Sequence, residues 1–334
     1  MNGVTIGKGG GNIGSNTAVG TSVLPGGTGT YNTGIGYFAL NSISTTGVYN
    51  TASGAHALRY NTTASYNTGT GYGALYANRT GNYNTATGFG ALGGSSNTSG
   101  DYNTANGVQA LLNNIGSSNT AIGYQALGGY PSGNTGSSNT AGGYTALRYN
   151  TTGYNNTAFG YSSLNTNTTG YLNTALGYGA DVASGALTNA TAIGNGASVT
   201  ASNRVRVGNT AVTQIGGQVA WSTLSDGRQK ENIMDYAHGL DFIMKLRPVT
   251  FNLRADTTKV PHSGFIAQEV ESTGIPFYGL NKPANVKDFY SLNYSEFVVP
   301  LVNSVKELKA ENEKLKADND ELRVRIEKIE EKIK

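Results

Sequence analysis

No cysteine occurs in this 334-residue chain. Disulfides and thiolate metal sites are therefore excluded, and cysteine usage says nothing about redox compartment. Long apolar runs are missing too. No stretch approaches the roughly 20 residues needed to cross a bilayer as a helix, and Met1–Lys8 lacks the apolar core of a secretory signal, so neither membrane insertion nor a leader is expected. Acidic residues are nearly absent before Ser225, where only Asp101 and Asp181 occur. That scarcity excludes calcium-binding repeats, which need Asp at each corner. It also leaves a glycan-degrading site in this region only those two acids. The net charge of +3 is too small to argue for nucleic acid or an anionic membrane.

Charge distribution divides the chain. Up to Leu224 the basic residues are Lys8, Arg59, Arg79, Arg148, Arg204 and Arg206, against the two aspartates; everything from Ser225 onwards holds the rest of the chain's 23 basic and 20 acidic side chains. What fills the uncharged part is a repeat. Asn-Thr-[Ala/Gly]-x-Gly begins at Asn16, Asn32, Asn50, Asn67, Asn84, Asn103, Asn119, Asn139, Asn156 and Asn173, with steps of 16 to 20 residues, and a degenerate copy follows at Ala190. Many copies continue as Tyr-x-Ala-Leu, as in Tyr72–Leu75 and Tyr124–Leu127.

A unit of about 17 residues is too short for paired helices, which need roughly 33 or more. It fits one coil of a parallel β-solenoid with two short strands and glycine corners. Stacking then lays Asn, Thr, Ala, Leu and Tyr each on its own kind. Small inward residues imply a thin cross-section, for which trimerisation would supply the missing core. Eleven coils at about 4.8 Å give a shaft of roughly 50 Å. A single Thr ladder does not make the flat grid of an ice-binding face. The tyrosines either pack between coils or chains, or stack on sugars. Residues 203–221 alternate apolar and polar and read as strands turning at Gly208 and Gly216-Gly217. Asn203–Gly208 behind Gly-rich coils resembles the head-to-neck segments of trimeric phage fibres and trimeric bacterial adhesins.

Residues 301–334 carry heptads. Val305, Asn312, Asn319, Ile326 and Ile333 fall at a; Leu301, Leu308, Leu315, Leu322 and Ile329 fall at d. The g–e pairs Glu311–Lys316, Asp318–Arg323 and Arg325–Glu330 are attractive between parallel chains, and the two asparagines should fix register. Leu at d with Val or Asn at a leans towards two strands, whereas a thin shaft calls for three. A single amphipathic helix folded back on its own domain is the plainer alternative.

Between the array and the heptads stand Ser225-Asp226-Gly227-Arg228-Gln229-Lys230 with Glu231-Asn232-Ile233, then Leu246–Phe251, Gly264–Val270 and Tyr294–Phe297. In that order and spacing they resemble the self-cleaving C-terminal intramolecular chaperone of phage tail spikes and fibres, the endosialidase type, over about residues 222–320. The resemblance implies three chains rather than two. It also implies that the serine attacks the peptide bond before itself with the lysine as base: Ser225 and Lys230, cutting between Leu224 and Ser225, with Asp226, Arg228 and Asn232 in support. A serine hydroxyl needs such a base, and a lysine serves where burial or nearby cations lower its pKa. The plain alternative is that Ser225 and Asp226 cap a helix; a Ser-His-Asp arrangement would need His238 or His262.

The sequence thus predicts a mostly β chain: a trimeric Gly-rich parallel β-solenoid (1–202), a β-rich neck (203–224), a small α+β chaperone and auto-protease domain (225–300) and a parallel coiled coil (301–334). The expected function is a viral tail fibre that trimerises, then cuts itself once as a serine peptidase with no external substrate. A trimeric bacterial surface adhesin with the same module is the alternative. Expected partners are two further copies, other tail proteins and a host cell-surface receptor, with a glycan among the candidates. No cofactor, metal or nucleic acid is expected, and the expected location is the virion tail, or the bacterial surface for the alternative.

Overall fold

The computed structural model describes residues 6–42, 45–94, 100–129, 133–219, 221–254, 256–283 and 288–333. Most of the N-terminal stretch read above for a leader, Met1–Thr5, lies outside them. Two compact units divide between Thr210 and Ala211.

The first unit is a solenoid. Three-residue strands starting at Thr17, Thr33, Thr51, Thr68, Thr85, Thr104, Thr120, Thr140, Thr157, Thr174 and Thr191 form one parallel sheet. Register is like on like: Thr85 pairs with Thr104, and Ala86 with Ala105. The middle residue of each strand is a buried Ala or Gly, because side chains alternate across a strand. Ile6–Gly7 closes one edge in antiparallel pairing with Ala18–Val19, and Val205–Val207 extends the other edge by pairing with Thr191–Ile193.

Each buried asparagine of the Asn-Thr motif joins two coils. Its Oδ1 accepts the backbone N–H of the next asparagine, as in Asn84 to Asn67, Asn103 to Asn84 and Asn156 to Asn139, all at 2.9 Å. Its Nδ2 donates to a backbone carbonyl, as Asn84 does to Gly100 at 2.8 Å. A second ladder of buried asparagines escapes the Asn-Thr motif: Asn61, Asn78, Asn114, Asn134, Asn150 and Asn167. Its cue in the sequence is Asn three residues after the repeat leucine, in Leu58–Asn61, Leu75–Asn78, Leu147–Asn150 and Leu164–Asn167.

Most coils carry one strand, not the expected two; among the described residues a second short sheet forms only at Asp181–Val182 with Ser198–Val199. The backbone explains the difference. Leu40, Leu58, Leu75, Leu92, Leu111, Leu127, Leu147 and Leu164 take φ of 48–55°, which turns the chain where a strand would run on. Left-handed backbone costs a non-glycine residue about 1–2 kcal/mol. Full burial of leucine returns about 1.5–3 kcal/mol, and these leucines are completely buried. The glycine closing each motif is obligatory: Gly36 through Gly177 take φ of 125–140°, and a Cβ there would lie 2.3–2.7 Å from the next coil's glycine carbonyl oxygen.

The second unit has a small aromatic core of Phe242, Val270, Phe277 and Phe297. Strands Val249–Asn252 and Pro261–Gly264 form an antiparallel pair, and Pro248 sits just before the first, where a strand tolerates it. Helix α1 spans Leu240–Ile243, α2 spans Ala267–Ser272 and α3 spans Val298–Ile333. Gly264–Val270 is thus a strand end running into a helix, and Tyr294–Phe297 a 3-10 turn entering α3. Pro300 falls in the first turn of α3, which needs no N–H there. The α3 root is tied to α1 and its approach: Glu307 accepts from Leu240 N–H (2.7 Å), and Asn303 donates to Tyr236 O (2.6 Å). Beyond the root, the heptad positions are bare on this chain, with Val305, Leu315 and Ile329 exposed by 65%, 54% and 57%. The alternation read through residue 221 yields no strand among the described residues after Val207, because a strand needs a partner edge and none is offered there.

Candidate functional site

Ser225 ends a segment without regular secondary structure in the second unit. Asp226 then caps a single 3-10 turn, Gly227–Gln229, accepting Arg228 N–H on its side chain at 2.9 Å. Lys230 closes that turn through its N–H to Gly227 O and leaves in extended conformation. A short turn between two extended residues folds the ends towards each other. As a result Lys230 Nζ lies 2.8 Å from Ser225 Oγ, five residues away.

Asp226 and Arg228 engage each other: Nη2 to Oδ2 is 2.5 Å and Nε to Oδ2 is 3.0 Å. Those guanidinium bonds, with the Arg228 amide, hold the Asp226 carboxyl below the usual carboxylate range. Asp226 thus bonds the Arg228 guanidinium and backbone. Asp226 does cap, as the plain alternative held, but Ser225 stays outside the turn with its hydroxyl on the lysine. Asn232 adopts a left-handed φ of 53°, and its side chain makes no hydrogen bond to either residue of the pair. His238 is committed to Asp241 at 2.9 Å, and His262 stacks on Phe251; among the described residues neither bonds Ser225.

Around the pair the chain is bare. Val219, Trp221, Leu224, Ile233 and Met234 are exposed by 76–89%. Among the described residues no group of His, Asp and Glu suits a metal ion, and no helix is long and apolar enough to cross a membrane.

On the shaft, the aromatic residues form rails. Tyr31, Tyr49, Tyr66, Tyr83 and Tyr102 stack at 4.8–5.1 Å and within 12° of parallel. Tyr124, Tyr144, Tyr161 and Tyr178 do the same at 5.0 Å. The rings pack between coils, so neighbouring rings cover each other's faces. Within a rail a sugar has no free ring face to stack on; only the rings that end a rail, such as Tyr31, Tyr102 and Tyr178, lack a neighbour on one side.

Neither a curated protein nor a solved structure gives a significant match to the chain. Residues 225–279, beginning at the serine of the pair, match the family model described as chaperone of endosialidase. Residues 225–279 are therefore similar to an endosialidase-type chaperone domain, and in the chain they follow a β-solenoid shaft.

Proposed function

We propose that this chain is a fibre subunit of a virion tail whose C-terminal part assembles three copies and then cuts itself off between Leu224 and Ser225. The observation that carries the reading is the 2.8 Å approach of Lys230 Nζ to Ser225 Oγ in a segment that matches the chaperone family. Ser225 Oγ adds to the Leu224 carbonyl carbon through a five-membered ring, while the lysine amine takes the hydroxyl proton. The C–N bond breaks, the Ser225 nitrogen leaves as an amine carrying the relayed proton, and Leu224 is held as an ester. Water hydrolyses the ester, giving the Leu224 carboxylate and restoring the hydroxyl.

Assembly supplies the timing. The bare heptad positions of α3 join three chains, and the apolar residues flanking the seam are covered as they meet. Excluding water favours an uncharged amine, the form that accepts a proton. The coil raises the local concentration of shaft strands whose contacts lie mostly one coil apart, and removing it afterwards makes unfolding irreversible in practice. The mature shaft then faces host cells and their surface receptor.

Denaturing gels and intact mass test this. The natural chain should run as two pieces, Met1–Leu224 and Ser225–Lys334. Ser225→Ala and Lys230→Ala should each leave one full-length chain within a native-mass trimer. Complete processing of both variants refutes the pair; a monomeric natural protein refutes the assembly.

A further inference from the structure

We propose that the shaft carries a binding site for a negatively charged sugar ring, in a notch bounded by His56 and Arg59 on one side and Gln109 on the other. The proposal rests on the reading of the shaft as a receptor-facing fibre and names the chemistry that would be recognised.

The notch is made by the repeat departing from itself. The residue two after the glycine of the motif is Ser22, Phe38, His56, Gln109, Gln125, Thr145 or Ser162 in seven coils, but glycine in two successive pairs, Gly73 with Gly90 and Gly179 with Gly196, of which only the first lies beside Arg59. The backbone is the same throughout: φ is 62° and 61° at the glycines, 60° at His56 and 55° at Gln109. Glycine is thus not demanded by conformation. A Cβ on Gly73 would meet nothing within 4 Å, and one on Gly90 only Gln109 Cγ at 3.7 Å. Removing two neighbouring side chains opens a cleft of about 280 Å³, flanked by Tyr72 and Phe89. That is close to the lower end, about 300 Å³, of ordinary ligand sites.

The walls present donors. The Arg59 guanidinium lies 4.8 Å from the Phe38 ring centre and 5.1 Å from that of Tyr60, which holds its plane in place. Nη1 makes two long bonds, to His56 Nδ1 at 3.3 Å and Tyr76 Oη at 3.5 Å. Nε is buried without a partner, and among the described residues no atom accepts from Nη2, which is the nitrogen left for a ligand. Because arginine only donates, His56 Nδ1 is an acceptor here, and in the neutral ring its Nε2 then carries the hydrogen. Gln109 accepts from Gln125 Nε2 through its carbonyl at 2.7 Å, leaving its own amide nitrogen without an acceptor among the described residues.

No carboxylate among the described residues answers the charge. Up to Leu224 the chain has only Asp101 and Asp181, and they are engaged by Asn82 N–H and by Thr166 and Val182. A rigid cation, an imidazole N–H and a free amide, set beside aromatic rings with no acid in the walls, select an anion on a ring with apolar faces. A uronate and a sugar phosphate both meet that description.

The test is binding to the full-length protein by isothermal titration. The probes are a glucuronate-containing tetrasaccharide, the same tetrasaccharide with its carboxyls reduced to alcohols, and a glycosyl phosphate. At least one anionic probe should bind, and whichever binds identifies the source of the charge. The reduced sugar should bind at least tenfold more weakly than its acid if the acid binds. Gly73→Gln with Gly90→Gln should abolish binding; both positions take the side chain and φ that other coils already have, and circular dichroism should confirm the fold. Arg59→Gln should weaken binding at least tenfold. Arg148→Gln, the same place in a coil whose neighbouring position is Thr145, should change nothing. The proposal is overturned if neither anion binds, if the acid and its reduced form bind alike, or if the double glutamine variant binds as well as the natural chain. The native mass and processing of the same sample report on assembly independently, so an assembled, cut fibre that ignores both anions refutes the notch alone.

Discussion

Asn139 gives the sharpest test of what holds the coils together. It is fully buried. Its Oδ1 accepts Asn156 N–H at 2.9 Å, and its Nδ2 donates to Gly153 O at 2.9 Å. Its own N–H goes to Asn119 Oδ1, which truncation leaves intact. In Asn139→Ala, Gly153 O keeps a second donor, Asn150 Nδ2 at 2.8 Å. The damage therefore falls mainly on the Asn156 amide, and a buried orphan donor costs about 1–3 kcal/mol. Asn139→Asp has the same shape and still accepts from Asn156. At neutral pH, however, it buries a charge and turns an oxygen towards Gly153 O. Protonated, that oxygen can donate again. Burial raises its folded-state pKa above the unfolded value of about 3.9, so its stability is full below that value and is lost as pH rises through the folded one. Guanidinium unfolding followed by circular dichroism should show a pH-independent loss of about 1–3 kcal/mol for the alanine variant. The aspartate variant should be worse than alanine at pH 7 and recover near pH 4. Hydrogen exchange should rise locally, around residues 139–156. The exposed strand residue Asn106, replaced by Thr as at Thr87 beside it, should stay within about 0.5 kcal/mol. An Asn139→Ala loss no larger than that of the Asn106 control, or a pH-independent aspartate variant, refutes the ladder argument.

Other perturbations separate the remaining claims. Gly123→Ala should destabilise the shaft by more than about 3 kcal/mol, since its φ is 130° and a Cβ would lie 2.6 Å from Gly143 O, whereas Gly73→Ala should cost under about 1 kcal/mol; equal costs in a denaturant series would contradict the close-approach reading. Burial raises the Asp181 carboxyl above 3.8 despite its bonds from Thr166 and Val182. Shaft stability should therefore be greatest below pH 4 and decline as pH rises through the folded value, and Asp181→Asn should flatten that slope in unfolding midpoints measured from pH 3.5 to 7. Leu308→Asp with Leu315→Asp puts charge on two of the bare heptad positions of α3; native mass should show loss of the trimer, and gels an uncut chain. Trimers with normal processing in that variant would remove α3 from the assembly argument.

The solenoid was legible because like residues recur at Asn, Thr, Ala and Leu, and the observed register pairs them as the repeat demands. The number of strands per coil was not. Leucine ordinarily avoids left-handed backbone, so nothing in Leu40 or Leu58 announces that it turns the chain; only neighbours that bury it completely make that conformation tolerable. The seam was legible as a change of charge and as the Ser225–Lys230 motif. The pairing of Asp226 with Arg228 was not, because two residues of separation across a 3-10 turn place these groups together only once the cap has formed. Alternation in 203–221 predicted strands, but a strand exists by its partner, and among the described residues only Val205–Val207 finds one. The notch at Gly73 and Gly90 is written in the aligned coils as two missing side chains. Its meaning depends on Arg59 and Gln109, which reach it from other coils.

Register of like on like has an evolutionary corollary. Each coil bonds its neighbours through the same atoms, so a coil copied or lost whole leaves two surfaces that still fit, while a frame slip of one residue inside a strand turns alanine outward and threonine in. The turns already absorb steps from 16 to 20 residues. Shaft length is therefore a copy number, adjustable by recombination between repeats in increments of about 4.8 Å. A lineage can lengthen its reach without redesigning a single contact.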